Sequence, residues 1–136
     1  TTSVRAFARG VGYTDPVYYD IEAAKKAGYR NLPAPPCYLG TPVFIPGKSN
    51  EVFSGPLGAV HGVKHGLPGL LDGGTETEYF DAICAGDNLT ATVKLANLEV
   101  KESKALGKML VISQEIIYKN EAGKIVAIQR GQGIFY

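Results

Sequence analysis

The chain has 136 residues, of which 45% are hydrophobic and 20% are charged. This length suits one domain with its own core, so we expect residues 1–136 to form a single domain. The balance of 14 basic against 13 acidic side chains, a formal net charge of +1, excludes a broadly basic surface. Neither a nucleic acid nor an anionic membrane is therefore expected as a partner.

The sequence also bears on the compartment in which the protein acts. No apolar run reaches the length that crosses a bilayer, and the beginning of the sequence lacks a signal-peptide pattern. The two cysteines, Cys37 and Cys84, have neither the spacing of a redox motif nor neighbouring metal ligands. Two free thiols in a reducing compartment are favoured over a disulfide, which predicts a cytoplasmic protein.

The first thirty residues predict two short helices. Ser3 can cap the first helix and Gly12 can end it in a left-handed conformation, with an apolar stripe through Val4, Phe7, Ala8 and Val11. Asp20 can cap a second helix over residues 21–27, which Gly28 ends.

Proline and glycine dominate the next segment, residues 31–74. A short helix is predicted to begin with Pro36 in its first turn and to continue through Leu39, until Pro42 kinks or ends it. Residues 47–69 are predicted to be a long loop, which in a compact domain is usually a lid or a binding element.

The second half of the chain predicts an antiparallel meander. Its segments are rich in β-branched and aromatic residues and are separated by plausible hairpin turns, with strands over 75–84, 89–100, 108–119 and 124–136. The apolar alternation of the second strand changes phase between Leu95 and Leu98, which predicts a bulge. Helices followed by antiparallel strands indicate an α+β fold.

Three blocks of sequence carry a resemblance to a known family. They are SVRAFARGVGYTDPVYYDIEAAKKAGYRNLPAPP (3–36), LDGGTETEYFDAICAGDNLTATVKLANLEVKE (71–102) and IYKNEAGKIVAIQRGQGIFY (117–136). In their order and spacing they resemble the N-terminal domain of MaoC-like hydratases and dehydratases. The least familiar part is the segment from about residue 45 to residue 70, to which the resemblance gives no role.

This resemblance implies a hot-dog fold, in which a curved antiparallel sheet wraps around a central helix. It also implies that two such units pair and bind an acyl-CoA or acyl-carrier-protein thioester between them, with no metal or other cofactor. The substrate-binding residues that it implies are Pro36, Cys37 and Tyr38, where the central helix would begin, and Gly74, before the hot-dog strand.

Catalytic members of the wider family carry Asp and His in a Gly-Asp-x-Asn-Pro-x-His motif. Laid on residues 12–18, the motif places Tyr13 at the Asp position and Tyr18 at the His position. A tyrosine with its ordinary pKa near 10 is a poor base at neutral pH. Asp15 stands at the Asn position, where a turn or cap role beside Pro16 is favoured over that of a substitute base.

Other candidate sites are weaker. His61 and His65 are each followed by glycine, which favours a solvated loop over a metal site. A thioesterase would need a carboxylate near the thioester, but Glu76, Glu78 and Asp81 lie on a predicted strand and are expected to face solvent.

The sequence therefore predicts an acyl-thioester-binding subunit of a 2-enoyl-thioester hydratase or 3-hydroxyacyl dehydratase. Hydration needs a base, an acid and a donor to the thioester oxygen. The Asp/His pair is expected from a partner in a homodimer or heteromer with a catalytic hot-dog subunit, as in degenerate subunits of heteromeric dehydratases. A non-catalytic acyl-CoA-binding scaffold and a hot-dog thioesterase are the alternatives.

Overall fold

The computed structural model describes residues 1–41 and 63–136. Within these described residues, two short α-helices and one 3₁₀ helix precede four β-strands. The helices are α1 (Thr2–Gly10), the 3₁₀ helix (Pro16–Tyr18) and α2 (Ile21–Lys26), and the strands are β1 (Leu70–Tyr79), β2 (Thr90–Ser103), β3 (Gly107–Lys119) and β4 (Ile125–Phe135). This content confirms the predicted α+β class.

The four strands form one antiparallel sheet in the order β1-β4-β3-β2. Strands β2, β3 and β4 follow one another through tight turns, whereas β1 pairs with the last strand, so that Leu70 lies opposite Phe135. The pairing extends one step beyond β1, because Gly69 and Tyr136 exchange backbone hydrogen bonds of 2.8 and 3.2 Å. The end of the predicted loop therefore belongs to the sheet.

Bulges interrupt β1 and β2, and a further register shift lies between Tyr118 and Lys119 in the pairing of β3 with β4. The register between β2 and β3 shifts between Leu95 and Asn97, which confirms the bulge predicted from the phase change. A second shift lies between Asp72 and Gly74 in β1, where Gly74 has φ 107° and its N–H donates to Asp72 Oδ1 over 2.9 Å. A residue with a Cβ adopts this backbone conformation only rarely, so glycine suits the position.

The two predicted N-terminal helices are confirmed with small changes at their ends. Gly12 and Gly28 follow the helices with φ of 80° and 94°, as the sequence indicated. Asp20 caps α2, since its Oδ1 accepts the N–H groups of Glu22 and Ala23 over 2.7 and 3.1 Å. The first helix begins two residues earlier than expected, and its N-cap is Thr1 rather than Ser3.

The helix predicted to begin at Pro36 is wrong over the residues that the structure describes. Residues 36–41 form two successive turns, with hydrogen bonds from Tyr38 N to Pro35 O (2.8 Å) and from Thr41 N to Tyr38 O (3.0 Å). The positive φ of Gly40 (84°) and the restriction that Pro42 places on Thr41 leave too few residues for a helix. The predicted kink at Pro42, His61 and the loop as far as residue 62 lie outside the described residues.

The first strand begins and ends five residues earlier than predicted, at Leu70 and Tyr79. Its start was not predicted because a glycine pair such as Gly73-Gly74 usually breaks a strand, whereas here the pair forms the bulge. After Tyr79 the chain leaves the sheet and passes through a bridge between Pro33 and Cys84. The other three strands lie close to their predicted bounds.

Two groups of buried side chains form the core. The N-terminal cluster contains Val4, Ala24 and Leu32, and the sheet cluster contains Ile116, Tyr118, Val126 and Ala127. Arg30 links the two parts, since its guanidinium donates to both carboxylate oxygens of Asp87 and, over 3.1 Å, to Ala82 O. Asp87 also accepts the N–H of Cys84 over 2.8 Å, so one carboxylate fixes the segment between β1 and β2.

Both cysteines are free thiols, as the sequence predicted, and in the structure Cys37 is exposed and Cys84 is buried. Neither of the described α-helices is long and apolar enough to span a membrane. The extent of the domain, residues 1–136, stays a prediction.

Candidate functional site

A cavity of about 600 Å³ lies between one face of the sheet and residues 36–41. Its wall and floor come from β1, β3 and β4, which present Thr75, Thr77, Tyr79, Gln114, Ile116, Gln129, Gly131 and Gly133. Leu39, Leu70 and Leu71 add apolar surface. A mostly apolar concave site with a few convergent polar groups is the usual form of a small-molecule pocket.

Gln129 is the best-anchored polar group of the cavity. Its Nε2 donates to Thr77 Oγ1 over 3.2 Å and to Leu39 O over 3.5 Å, while its Oε1 accepts from the hydroxyl of Tyr118 over 3.5 Å. These bonds tie β4 to β1, to β3 and to the turn above the sheet. They fix the orientation of the amide within the floor.

Gln114 lies across from Gly131 on the same floor and differs from Gln129. Its side chain is 7% exposed, and its Oε1 is buried without a hydrogen-bond partner among the described residues. A buried acceptor left unpaired costs about 1–3 kcal/mol. Such a group in a native structure calls for a specific explanation.

The missing side chain of Gly131 leaves a gap beside Gln114. A Cβ placed on Gly131 would lie 3.7 Å from Gln114 Nε2 and 3.7 Å from Thr75 Oγ1, which is ordinary contact. The gap therefore has an amide on one side and a hydroxyl on the other.

Three titratable side chains line the cavity: Cys37, Asp72 and Tyr79. The hydroxyl of Tyr79 donates to Pro36 O, and burial raises the pKa of Tyr79 above its ordinary value. Asp72 is exposed and is engaged by the N–H of Gly74. Histidine is absent from the described lining of this cavity.

The motif positions at the N-terminus lie away from this cavity. The rings of Tyr13 and Tyr18 stack with centroids 5.5 Å apart, and the hydroxyl of Tyr19 donates to Tyr13 O. Burial, with smaller effects of Tyr13, Tyr29 and Asp15, raises the pKa of Tyr18 further above 10.0. The fraction of Tyr18 that is ionised and able to act as a base at neutral pH is therefore lower still.

Asp15 has a local structural contact. Its Oδ1 accepts the N–H of Val17 over 3.0 Å and caps the 3₁₀ helix. This is the turn role that its position beside Pro16 favoured. Asp15, Tyr13 and Tyr18 are not among the residues that line the two cavities found in the described structure.

The predicted substrate-binding residues are divided between three places. Pro36 and Cys37 line the main cavity. Tyr38 lines a second cavity of about 240 Å³ and packs edge-on against Phe7, with ring centroids 5.3 Å apart. Gly74 shapes the bulge of β1 beside Asp72. Their roles in binding substrate stay predictions.

The carboxylates considered for a thioesterase are exposed or engaged in ion pairs. Arg130 lies 3.6 Å from Glu78 and 3.2 Å from Glu115, and Glu76 is exposed. Asp81 accepts a hydrogen bond from Lys124 over 2.8 Å, which holds the pKa of its carboxyl below the ordinary value. None of these carboxylates lines the main cavity.

The described residues include no cluster of acidic, histidine or cysteine side chains that could hold a metal ion. His65 packs against the ring of Phe135 at 4.3 Å, and its Nδ1 accepts the N–H of Leu67 over 3.1 Å. It therefore belongs to the structure around the end of β4.

Sequence reasoning missed the polar groups of the cavity floor. Gln114, Gln129, Thr75 and Thr77 were not singled out in the sequence, and they lie on three different strands. The one available signal is that the residues two positions before and after Gln114, Ile112 and Ile116, are apolar and share its face of the strand. Strand pairing was needed to bring these groups onto one face.

Comparisons with solved structures define the class of this fold. The chain superposes on a chain of the ChsH1–ChsH2 complex from Mycobacterium tuberculosis with a TM-score of 0.76 and 20% identity, over 99% of this chain and 80% of the other. A MaoC-like dehydratase matches with a TM-score of 0.74 and 22% identity, over 98% of this chain and 37% of that one. A third match is to the HadBC (3R-hydroxyacyl-ACP dehydratase) complex from Mycobacterium tuberculosis, with a TM-score of 0.70 and 19% identity, over 98% and 85%. The fold is the hot-dog fold of MaoC-like dehydratases, as predicted.

Sequence comparison identifies the family. Residues 1–129 match the family model described as the FAS1-like dehydratase domain region. The chain belongs to this family of hot-dog hydratases and dehydratases.

Two relatives illustrate its range. A UPF0336 protein of Parafrankia is 32% identical over 124 residues, which are 91% of this chain and 74% of the relative. A probable enoyl-CoA hydratase alpha subunit of Thermomonospora curvata is 24% identical over 135 residues, which are 93% of this chain and 41% of that protein.

Proposed function

We propose that this chain is the acyl-thioester-binding subunit of a 2-enoyl-thioester hydratase or 3-hydroxyacyl-thioester dehydratase. A partner hot-dog subunit supplies the Asp/His pair. The observation that carries the proposal is that acyl binding and the catalytic motif positions are separated in this chain. The cavity can hold an acyl group, while Tyr13 and Tyr18 stand at the motif positions, outside the cavity lining.

The chemistry of the motif positions supports the need for a partner. Hydration requires a base for the attacking water and an acid for the neighbouring carbon. Burial moves the pKa of Tyr18 away from neutrality, and Asp15 is engaged by Val17 N–H. Tyr18 is therefore unsuited to act as a base at pH 7, and Asp15 has a local capping role.

The relatives support a heteromer. The ChsH1–ChsH2 and HadBC structures are complexes of two different subunits, and the Thermomonospora relative is named as an alpha subunit. We extend this organisation to the present chain and place the complex in the cytoplasm, in keeping with two unpaired thiols.

A crotonyl-CoA hydration assay tests the proposal. The purified chain alone is expected to be inactive, and the complex obtained by co-expression with the neighbouring hot-dog gene is expected to be active. Tyr18→Phe and Asp15→Asn should leave the activity of the complex unchanged. If the chain alone hydrates crotonyl-CoA and either substitution abolishes the reaction, the need for a partner is disproved.

One observation favours a second candidate, a thioesterase. Asp72 places a carboxylate at the cavity, where it could assist water attack on the thioester carbonyl. Release of free CoA from crotonyl-CoA or butyryl-CoA, abolished by Asp72→Asn, would support the thioesterase. Binding of the esters with neither reaction, in the chain or the complex, would identify a scaffold.

A further inference from the structure

Among the described polar groups of the cavity floor, the amide of Gln114 stands out because it has a buried atom without a partner. Its side chain is more than nine-tenths buried, and its Oε1 has no partner within the described part of the chain. The neighbouring Gln129 has its amide engaged on both sides. Gln114 is therefore the floor group that remains able to pair with a ligand.

The surroundings of Gln114 define what such a ligand must carry. The gap over Gly131 has Gln114 on one side and the hydroxyl of Thr75 on the other. A side-chain amide offers a donor and an acceptor and can turn to present either, and a hydroxyl both donates and accepts. Since Nε2 is the atom of the Gln114 amide that borders the gap, a ligand hydroxyl there can accept from Gln114 Nε2 and donate to Thr75 Oγ1 at the same time.

We propose that Gln114 and Thr75, separated by Gly131, form a hydroxyl-recognition point on the cavity floor. Through it the cavity selects an acyl group that carries a hydroxyl over the plain acyl group of the same length. The inference rests on the proposed acyl-thioester function and specifies which form of the thioester this subunit holds. Gln114 and Thr75 act here as specificity-determining residues.

The experiment compares two ligands by isothermal titration calorimetry on the full chain. The pair is 3-hydroxyhexanoyl-CoA and hexanoyl-CoA, which differ only in the hydroxyl. Because Gln114 is buried, a ligand hydroxyl that pairs with it should make the hydroxylated ester bind roughly tenfold more tightly in Kd. Because the two esters share the same pantetheine arm, contacts with its amides act equally on both and create no preference.

Three substitutions locate the preference. Gln114→Leu and Thr75→Val remove one polar group each, and Gly131→Ala fills the gap without a clash, since the added carbon would lie at ordinary contact distances. Each should reduce the preference to about twofold or less while hexanoyl-CoA still binds. Ser113→Val, on the opposite face of the same strand, is the matched control and should retain the preference.

Thermal unfolding separates recognition from a purely structural role. Replacing an unpaired buried amide by an apolar side chain removes its desolvation cost, so Gln114→Leu should unfold at the same or a higher temperature than the parent chain. A clear fall in Tm would show that the amide is bonded within the fold and would overturn the inference. Equal binding of both esters would overturn the inference alone, and failure of both to bind would overturn the proposed function as well.

Discussion

In the N-terminal cluster the side chains of Ala24 and Leu32 are fully buried, and Val4 is 3% exposed. The polar groups nearby have partners, as the capping bonds of Asp20 show. The cavity floor is built differently, since it leaves about 600 Å³ unfilled and one amide oxygen unpaired within the described structure. The N-terminal cluster is thus built for packing, whereas the cavity floor, which carries no catalytic motif, keeps the capacity to bind.

The largest loss of stability is expected in the N-terminal cluster, whose side chains are the most deeply buried. Leu32→Ala should lower the free energy of unfolding by about 2–5 kcal/mol, because it opens a cavity in the N-terminal cluster. Leu95→Ala is the control, since Leu95 is 54% exposed and the change should be within about 0.5 kcal/mol. Urea denaturation followed by circular dichroism measures both. Equal losses in the two variants would contradict the contrast between the two regions.

A smaller effect is expected at the link between the regions. Asp87→Ala removes the bonds to Arg30 and to the N–H of Cys84, and should cost about 2 kcal/mol of unfolding free energy. Glu22→Ala breaks the exposed pair with Lys25 within α2 and should cost no more than about 0.5 kcal/mol. If the two variants unfold at the same urea concentration, Asp87 does not join the two parts of the core.

The smallest effect is on the pH dependence of stability and concerns Tyr118 in the sheet cluster. Burial raises the pKa of Tyr118, which is 5% exposed, above its ordinary value of 10.0. The folded state therefore favours the neutral phenol. Its contribution to stability is fully present below the unfolded pKa near 10 and is lost as the pH rises toward the folded pKa.

The unfolding free energy of the parent chain should consequently fall more steeply above about pH 10 than that of Tyr118→Phe, with a difference below about 1 kcal/mol near pH 11. Tyr79, whose pKa is also raised, keeps part of the slope in both proteins. Identical alkaline slopes would mean that Tyr118 ionises as freely in the folded chain as in the unfolded one.

The local features of this fold could be predicted from the sequence. Gly12 and Gly28 end helices because glycine readily adopts positive φ, and the bulge after Leu95 follows from a change in alternation. These features depend on a few neighbouring residues. The start of β1 was missed because its Gly73-Gly74 pair suits a strand only once β4 lies beside it.

The candidate site was less predictable because it, too, depends on long-range strand pairing. Pro36 and Cys37 line the cavity and their binding of substrate stays a prediction, whereas Gln114 and Thr75 come from distant strands that pairing with β4 brings together. The motif positions Tyr13 and Tyr18 were identified from a local pattern. That pattern does not show whether these residues line the cavity, because this depends on the folded chain.

The order of the strands has a consequence for how the molecule folds. Hairpins join β2 to β3 and β3 to β4, so these contacts close short loops, whereas β1 pairs with β4 across most of the second half of the chain. Long-range pairing carries a larger loop-closure entropy and forms later. We therefore expect β1 to dock last in folding, so that the wall bearing Thr75, Thr77 and Tyr79 completes the binding cavity only after the rest of the sheet exists.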